Sequence, residues 1–125
     1  MSNILLVAVG GALGAVSRHL VGLATLRAFG PSFPAGTMVV NLVGAFVMGV
    51  FIEVLARRWG ASTELKLLIA TGFLGGFTTF SSFALDAAVL WERGDGLLAA
   101  LYVIGTVAIG IAALFAGLGL ARHFA

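Results

Sequence analysis

Four long apolar runs leave this chain almost no room for anything else. A helix needs about 20 apolar residues to cross the hydrocarbon of a bilayer. The runs able to do so lie at about residues 4–26, 36–56, 65–90 and 97–121 of 125. Charges inside them are few: Arg18 and the neighbouring His19 interrupt the first, Glu53 lies near the end of the second, and Lys66 and Asp86 lie near the two ends of the third. The composition agrees, with 61% hydrophobic and 10% charged residues against roughly 45–50% and 25% in a soluble domain. So little polar surface cannot cover a globule in water, and so much apolar surface excludes disorder. The expected fold is an all-α membrane protein with a single four-helix transmembrane domain over residues 1–125, multi-pass, surrounded by lipid and without an extramembrane domain. The absence of cysteine removes disulfide and thiolate-metal chemistry. A net charge of +2, with no basic run longer than Arg57-Arg58, excludes nucleic acid as a partner.

The breaks between spans are short. Gly30-Pro31-Ser32-Phe33-Pro34 holds both prolines and reads as a turn. Arg57 to Ser62 forms a polar loop with Trp59 at the interface, and Ser62 or Thr63 is placed to cap the next helix. Trp91 to Gly96 makes the third turn. Loops this short set consecutive spans antiparallel. The first span lacks the basic start of a signal peptide and is too long for its apolar region. The side holding both termini and the second loop carries Arg57, Arg58, Lys66 and Arg122, whereas the other carries Arg27 and Arg93, with Arg18 nearer to it. Such a weak bias is compatible with the basic side in the cytoplasm or with insertion both ways. The pairs Gly10/Gly14, Ala45/Gly49, Gly72/Gly76 and Ala113/Gly117 are small residues at helical spacing that let backbones touch. Four helices packed that tightly leave no solvated path within one chain, so transport would require an oligomer.

The chemistry concentrates in the third span, where Thr71 to Phe83 holds three glycines, four hydroxyls and four phenylalanines after Thr71 itself is set aside. Gly75-Gly76 is a poor helical segment, so a break is expected near the middle of this helix. Backbone freed there must be buried or face water, and its carbonyls, Gly75 and Thr78 among them, suit a cation. Beyond the break, Thr79, Ser82, Phe83 and Asp86 recur at helical spacing and are expected on one face, with Phe80 and Phe83 as neighbours. A single membrane hydroxyl usually bonds back to its own helix, a reading weaker for four beside a Gly-Gly pair. Asn41 is the one amide within a span: it reads first as an interhelical hydrogen bond and second as a donor to an anion. Tyr102 is an interfacial anchor or a pathway lining. Arg18 is a functional candidate by its cost in the membrane, or a side chain snorkelling to the interface, and Asp86 is also expected to reach the interface. Glu53 and Arg57 form an i,i+4 pair at a helix end.

At Gly10-Gly11-Ala12-Leu13-Gly14-Ala15-Val16-Ser17-Arg18, Gly36-Thr37-Met38-Val39-Val40-Asn41-Leu42-Val43-Gly44 and Gly72-Phe73-Leu74-Gly75-Gly76-Phe77-Thr78-Thr79-Phe80-Ser81-Ser82-Phe83, the sequence resembles the CrcB/Fluc family of fluoride ion channels. The resemblance implies passive fluoride export across a microbial inner membrane by an antiparallel, dual-topology homodimer with two pores. It implies a structural sodium ion on the dimer axis, held by backbone carbonyls that map to Gly75 and Thr78, and no organic cofactor. It places Asn41, Phe80 and Phe83 on the pore, with a hydroxyl track at Thr79, Ser81 and Ser82 and, by a looser match, Tyr102. The chain departs from the family pattern at His19, where an aromatic is usual. It departs again at Ser82 for Thr, Ala84 for Ser and Asp86 for Glu, the last shortening the reach of a carboxylate.

These residue types suit a small, tightly hydrated anion. Amide and hydroxyl hydrogens replace water, and phenyl rings offer a positive edge without a full charge that would trap the ion. A proton-coupled multidrug exporter is the alternative, but it needs an embedded carboxylate that the first span lacks. A non-transporting membrane subunit would explain the glycines but not the third-span cluster. An enzyme is not expected, because His19 and His123 lie near opposite ends of the bundle.

Overall fold

The structure, a computed structural model, describes residues 2–125, and every regular element among them is helical. Helix α1 covers Asn3–Phe29 and α2 covers Ala35–Arg58. The third span is helical over residues 63–77 (α3) and again over Phe80–Glu92 (α4), and α5 covers Gly96–Phe124. Four helices are thus long and apolar enough to cross a membrane, with α3 and α4 together making one of them. Each extends slightly beyond the apolar run that marks it in the sequence. The added residues are end turns at the depth where water and headgroups can satisfy them. Ser2 and Ser62 begin α1 and α3 by accepting the N–H of Leu5 and Leu65 at 3.2 and 3.3 Å. Gly30 ends α1 at φ 77°, a left-handed conformation suited to glycine, and its N–H returns to the Leu26 carbonyl.

Consecutive helices run in opposite directions, but the closest contacts join helices two spans apart, which run parallel. Helix α1 lies against α3, and α2 lies against α5. Glycine explains both contacts. A Cβ on Gly14 would strike the Phe73 carbonyl and come within 2.9 Å of the Phe77 nitrogen. A Cβ on Gly117 would strike the Phe46 carbonyl and come within 2.9 Å of the Val50 nitrogen. Small residues therefore set the separation of the helices, and dispersion between the touching backbones holds them together in lipid.

The third span departs from a uniform helix in two ways. Lys66–Leu74 takes π-helical hydrogen bonding, visible where the Gly75 N–H reaches the Ala70 carbonyl five residues back. The interruption itself falls at Thr78 and Thr79, both extended (φ −88°, ψ 158° and φ −153°, ψ 122°). It does not fall at Gly75-Gly76, which remains helical. The physical reason is a cap: the Thr79 hydroxyl accepts the Ser82 N–H at 3.1 Å and starts α4. A glycine pair lowers helix propensity, whereas a capping residue fixes where a new helix begins.

Candidate functional site

The interruption is bridged from α2. Asn41 donates from Nδ2 to the Thr79 carbonyl at 3.0 Å, and its Oδ1 accepts the Thr79 N–H at 2.8 Å. One amide thus satisfies both main-chain groups that the extended residue removes from helical bonding. This is the interhelical hydrogen bond that the sequence favours for Asn41. A second amide hydrogen remains, because Nδ2 carries two. Gly44, one turn below Asn41 on α2, has no room for a Cβ against the Thr78 methyl, so α2 fits closely under the interruption.

Asn41, Thr79, Phe80 and Phe83 line one cavity of about 290 Å³, together with Thr106 from α5. Thr106 is 7% exposed, and its Oγ1 is a buried side-chain oxygen without a hydrogen-bond partner. An unmet hydroxyl in an apolar wall is costly unless it serves a ligand or water. Thr106 is absent from the residues singled out in the sequence. Its signal there is faint: the one threonine in an uncharged span, one helical turn after Tyr102.

The two phenylalanines differ in setting. Phe83 is 7% exposed, with its ring 5.2 Å from Tyr102, whereas Phe80 is 78% exposed. Their own ring centroids are 5.8 Å apart. Phe83 therefore parts from Ser82 and Asp86, beside which it is expected, but not from Thr79. Ser82 and Asp86 line a different cavity of about 320 Å³ with Arg18, Thr25 and Thr37, and Thr79 borders both cavities. Adjacent residues of an α-helix point about 100° apart, so Phe83 enters the groove beside the one that Ser82 faces.

Tyr102 is 1% exposed, and its hydroxyl donates to Asp86 Oδ2 at 3.3 Å. It is a core side chain rather than an interfacial anchor, and Asp86 turns inward to meet it. Arg18 also turns inward: its Nε donates to the Gly76 carbonyl at 3.1 Å. That carbonyl lies in the last turn of α3, where a cation complements the negative end of the helix. Ser81 is exposed, with its Oγ 3.3 Å from Thr79 Oγ1. Thr78 bonds back to the Leu74 carbonyl at 2.8 Å, the ordinary arrangement for a membrane hydroxyl.

The carbonyls of Gly75 to Thr78 all lose their helical donors at the interruption, and that of Gly76 is taken by Arg18. The N–H four residues after Gly75 belongs to Thr79 and is given to Asn41. The N–H four residues after Thr78 belongs to Ser82 and is given to the Thr79 hydroxyl. Carbonyl oxygens without donors are neutral ligands of the kind an alkali cation takes, and Gly75 and Thr78 are among them. Gly75 is exposed on the surface of the single chain.

A model of the family described as CrcB-like protein, Camphor Resistance (CrcB), matches residues 5–118. The chain belongs to the CrcB family. Its relatives include a protein of Rhizobium leguminosarum bv. trifolii, 55% identical over 125 residues and covering 100% of both chains. Proteins of Agrobacterium fabrum and Mesorhizobium japonicum are 54% and 57% identical, each with 98% of both chains covered. All three relatives bear the name fluoride-specific ion channel FluC. Membership in the CrcB family and four apolar helices make this a multi-pass membrane protein.

Proposed function

We propose that the chain forms a passive fluoride-specific channel of the inner membrane, assembled as an antiparallel homodimer with two pores. The observation that carries this reading is Asn41: it closes on the extended Thr79 backbone and borders the cavity shared by Phe80, Phe83 and the unpartnered Thr106 hydroxyl. The names of the close relatives support the same ion.

Fluoride gathers in the cavity beside Arg18, then exchanges water for uncharged donors. Those donors are the free Asn41 amide hydrogen, the Thr106 hydroxyl and the hydroxyls of Thr79, Ser81 and Ser82. The edges of Phe80 and Phe83 stabilise the anion weakly, which lets it leave again. Tyr102 backs Phe83 and restricts its ring. The exposed Phe80, Ser81 and Gly75 form a surface suited to cover by a second copy. Sodium held there by the Gly75 and Thr78 carbonyls of both copies would supply fixed positive charge near the pathways. The membrane potential contributes about 2.3 kcal/mol per charge per 100 mV, which drives an anion out of a cell that is negative inside.

The exporter alternative is weaker. Neither carboxylate lies at mid-span: Glu53 pairs with Arg57 and Arg122 at helix ends, and Asp86 lies near the end of the third span beside Tyr102. The deciding experiment uses liposomes loaded with potassium fluoride and a fluoride electrode outside. Adding a potassium ionophore alone should release fluoride from vesicles holding the purified protein and leave chloride retained. Release that requires an imposed proton gradient would overturn the channel reading.

Phe83→Ile tests the ring edge. Isoleucine preserves apolar bulk at low packing cost, and aromatic edge contacts are worth about 1 kcal/mol. Fluoride flux should fall about fivefold while the thermal melt in detergent stays near that of the parent. Unchanged flux would remove the ring from the mechanism.

A further inference from the structure

At the end of the bundle opposite the Arg18 cavity, α2 and α5 finish side by side and leave a groove of about 410 Å³. Its walls are apolar, formed by Val50, Val54, Leu120 and Phe124, and its rim carries Arg58 and Trp59. Arg58 makes no ion pair among the described residues. Its Nη2 donates to the Phe124 carbonyl at 3.3 Å, a contact that uses one of five guanidinium donors. The neighbouring charge does not neutralise it. Arg57 and Arg122 share a single carboxylate, Glu53, at 2.6 and 3.2 Å. The surroundings of Trp91 differ: Arg93 is paired with Asp95 at 2.7 Å, and Glu92 adjoins it.

We propose that this groove binds one acidic phospholipid, with an acyl chain along Val50, Val54, Leu120 and Phe124 and its phosphodiester at Arg58. The two chemistries occur in the order that a lipid presents them, hydrocarbon at depth and positive charge at the interface marked by Trp59. A guanidinium with free donors matches phosphate oxygens in a planar fork. Charge complementarity favours an acidic headgroup over a zwitterionic one, because the cluster retains positive charge after Glu53 is used.

The two tryptophans provide the test. Trp91→Phe leaves Trp59 as the reporter at the groove, and Trp59→Phe leaves Trp91 at the opposite end. Each variant is reconstituted in phosphatidylcholine vesicles containing brominated phosphatidylglycerol or brominated phosphatidylcholine, and quenching is measured against lipid fraction. One arginine near a membrane surface is worth about fivefold in affinity for an acidic lipid. Trp59 should therefore show about a fivefold preference for phosphatidylglycerol, Trp91 none, and Arg58→Gln should remove the preference at Trp59. Equal quenching by the two lipids at Trp59, the same preference at Trp91, or a preference unchanged by Arg58→Gln would each overturn the site. Circular dichroism of Arg58→Gln, expected to match the parent, separates lost binding from lost folding.

Discussion

Asn41→Asp abolishes fluoride flux while leaving the bundle assembled. The two side chains have the same size and shape, and an aspartate oxygen still accepts the Thr79 N–H that Asn41 Oδ1 now holds at 2.8 Å. An ionised aspartate cannot donate to the Thr79 carbonyl, so the bond at 3.0 Å is lost. It also has no hydrogen for an anion and adds a like charge to the proposed path. Two unit charges about 4 Å apart repel by about 4 kcal/mol at an effective dielectric of 20. That corresponds to about a thousandfold in rate. The loss of one main-chain contact costs about 1–3 kcal/mol, which a four-helix bundle can absorb. The expected result is flux at the background of empty liposomes from a protein that elutes from a sizing column like the parent. Flux within threefold of the parent would show that the anion does not pass this amide.

The spans are legible because their signal is summed over some 20 residues, and a few polar side chains do not erase it. The position of the interruption is harder to read. Gly75-Gly76 draws attention by propensity, but propensity says only where a helix is weak. Thr79 decides the matter by capping α4, and Asn41, 38 positions earlier, satisfies the backbone that the cap leaves behind. The second half of that arrangement is tertiary and cannot be inferred from local sequence. The inward turn of Arg18 toward the Gly76 carbonyl is invisible for the same reason. The separation of Phe83 from Ser82 and Asp86 follows from where α5 brings Tyr102 and Thr106. Small residues at Gly10, Gly14, Gly49 and Gly117 do reveal that backbones approach closely. They do not say which helix arrives, and sequence adjacency misleads, since the closest partners are two spans apart.

That pairing leads to the largest expected effect on folding. Gly14→Ala should prevent α1 from seating against α3. The added methyl group would meet the Phe73 carbonyl and lie 2.9 Å from both the Phe73 carbonyl carbon and the Phe77 nitrogen. These atoms belong to the main chain of α3, so no side-chain rotation relieves the overlap. Overpacking with movable side chains costs about 1–3 kcal/mol, and an overlap with fixed backbone should cost more. The consequence reaches the site, because Phe77 immediately precedes the two extended residues that Asn41 bridges. Gly119→Ala is the matched control, since a Cβ there meets nothing within 4 Å and alanine favours a helix by about 1 kcal/mol over glycine. In detergent, Gly119→Ala should melt with the parent or above it, whereas Gly14→Ala should aggregate or melt far lower. Should the two variants melt together, the close parallel contact of α1 with α3 would not be what holds the interrupted span in place.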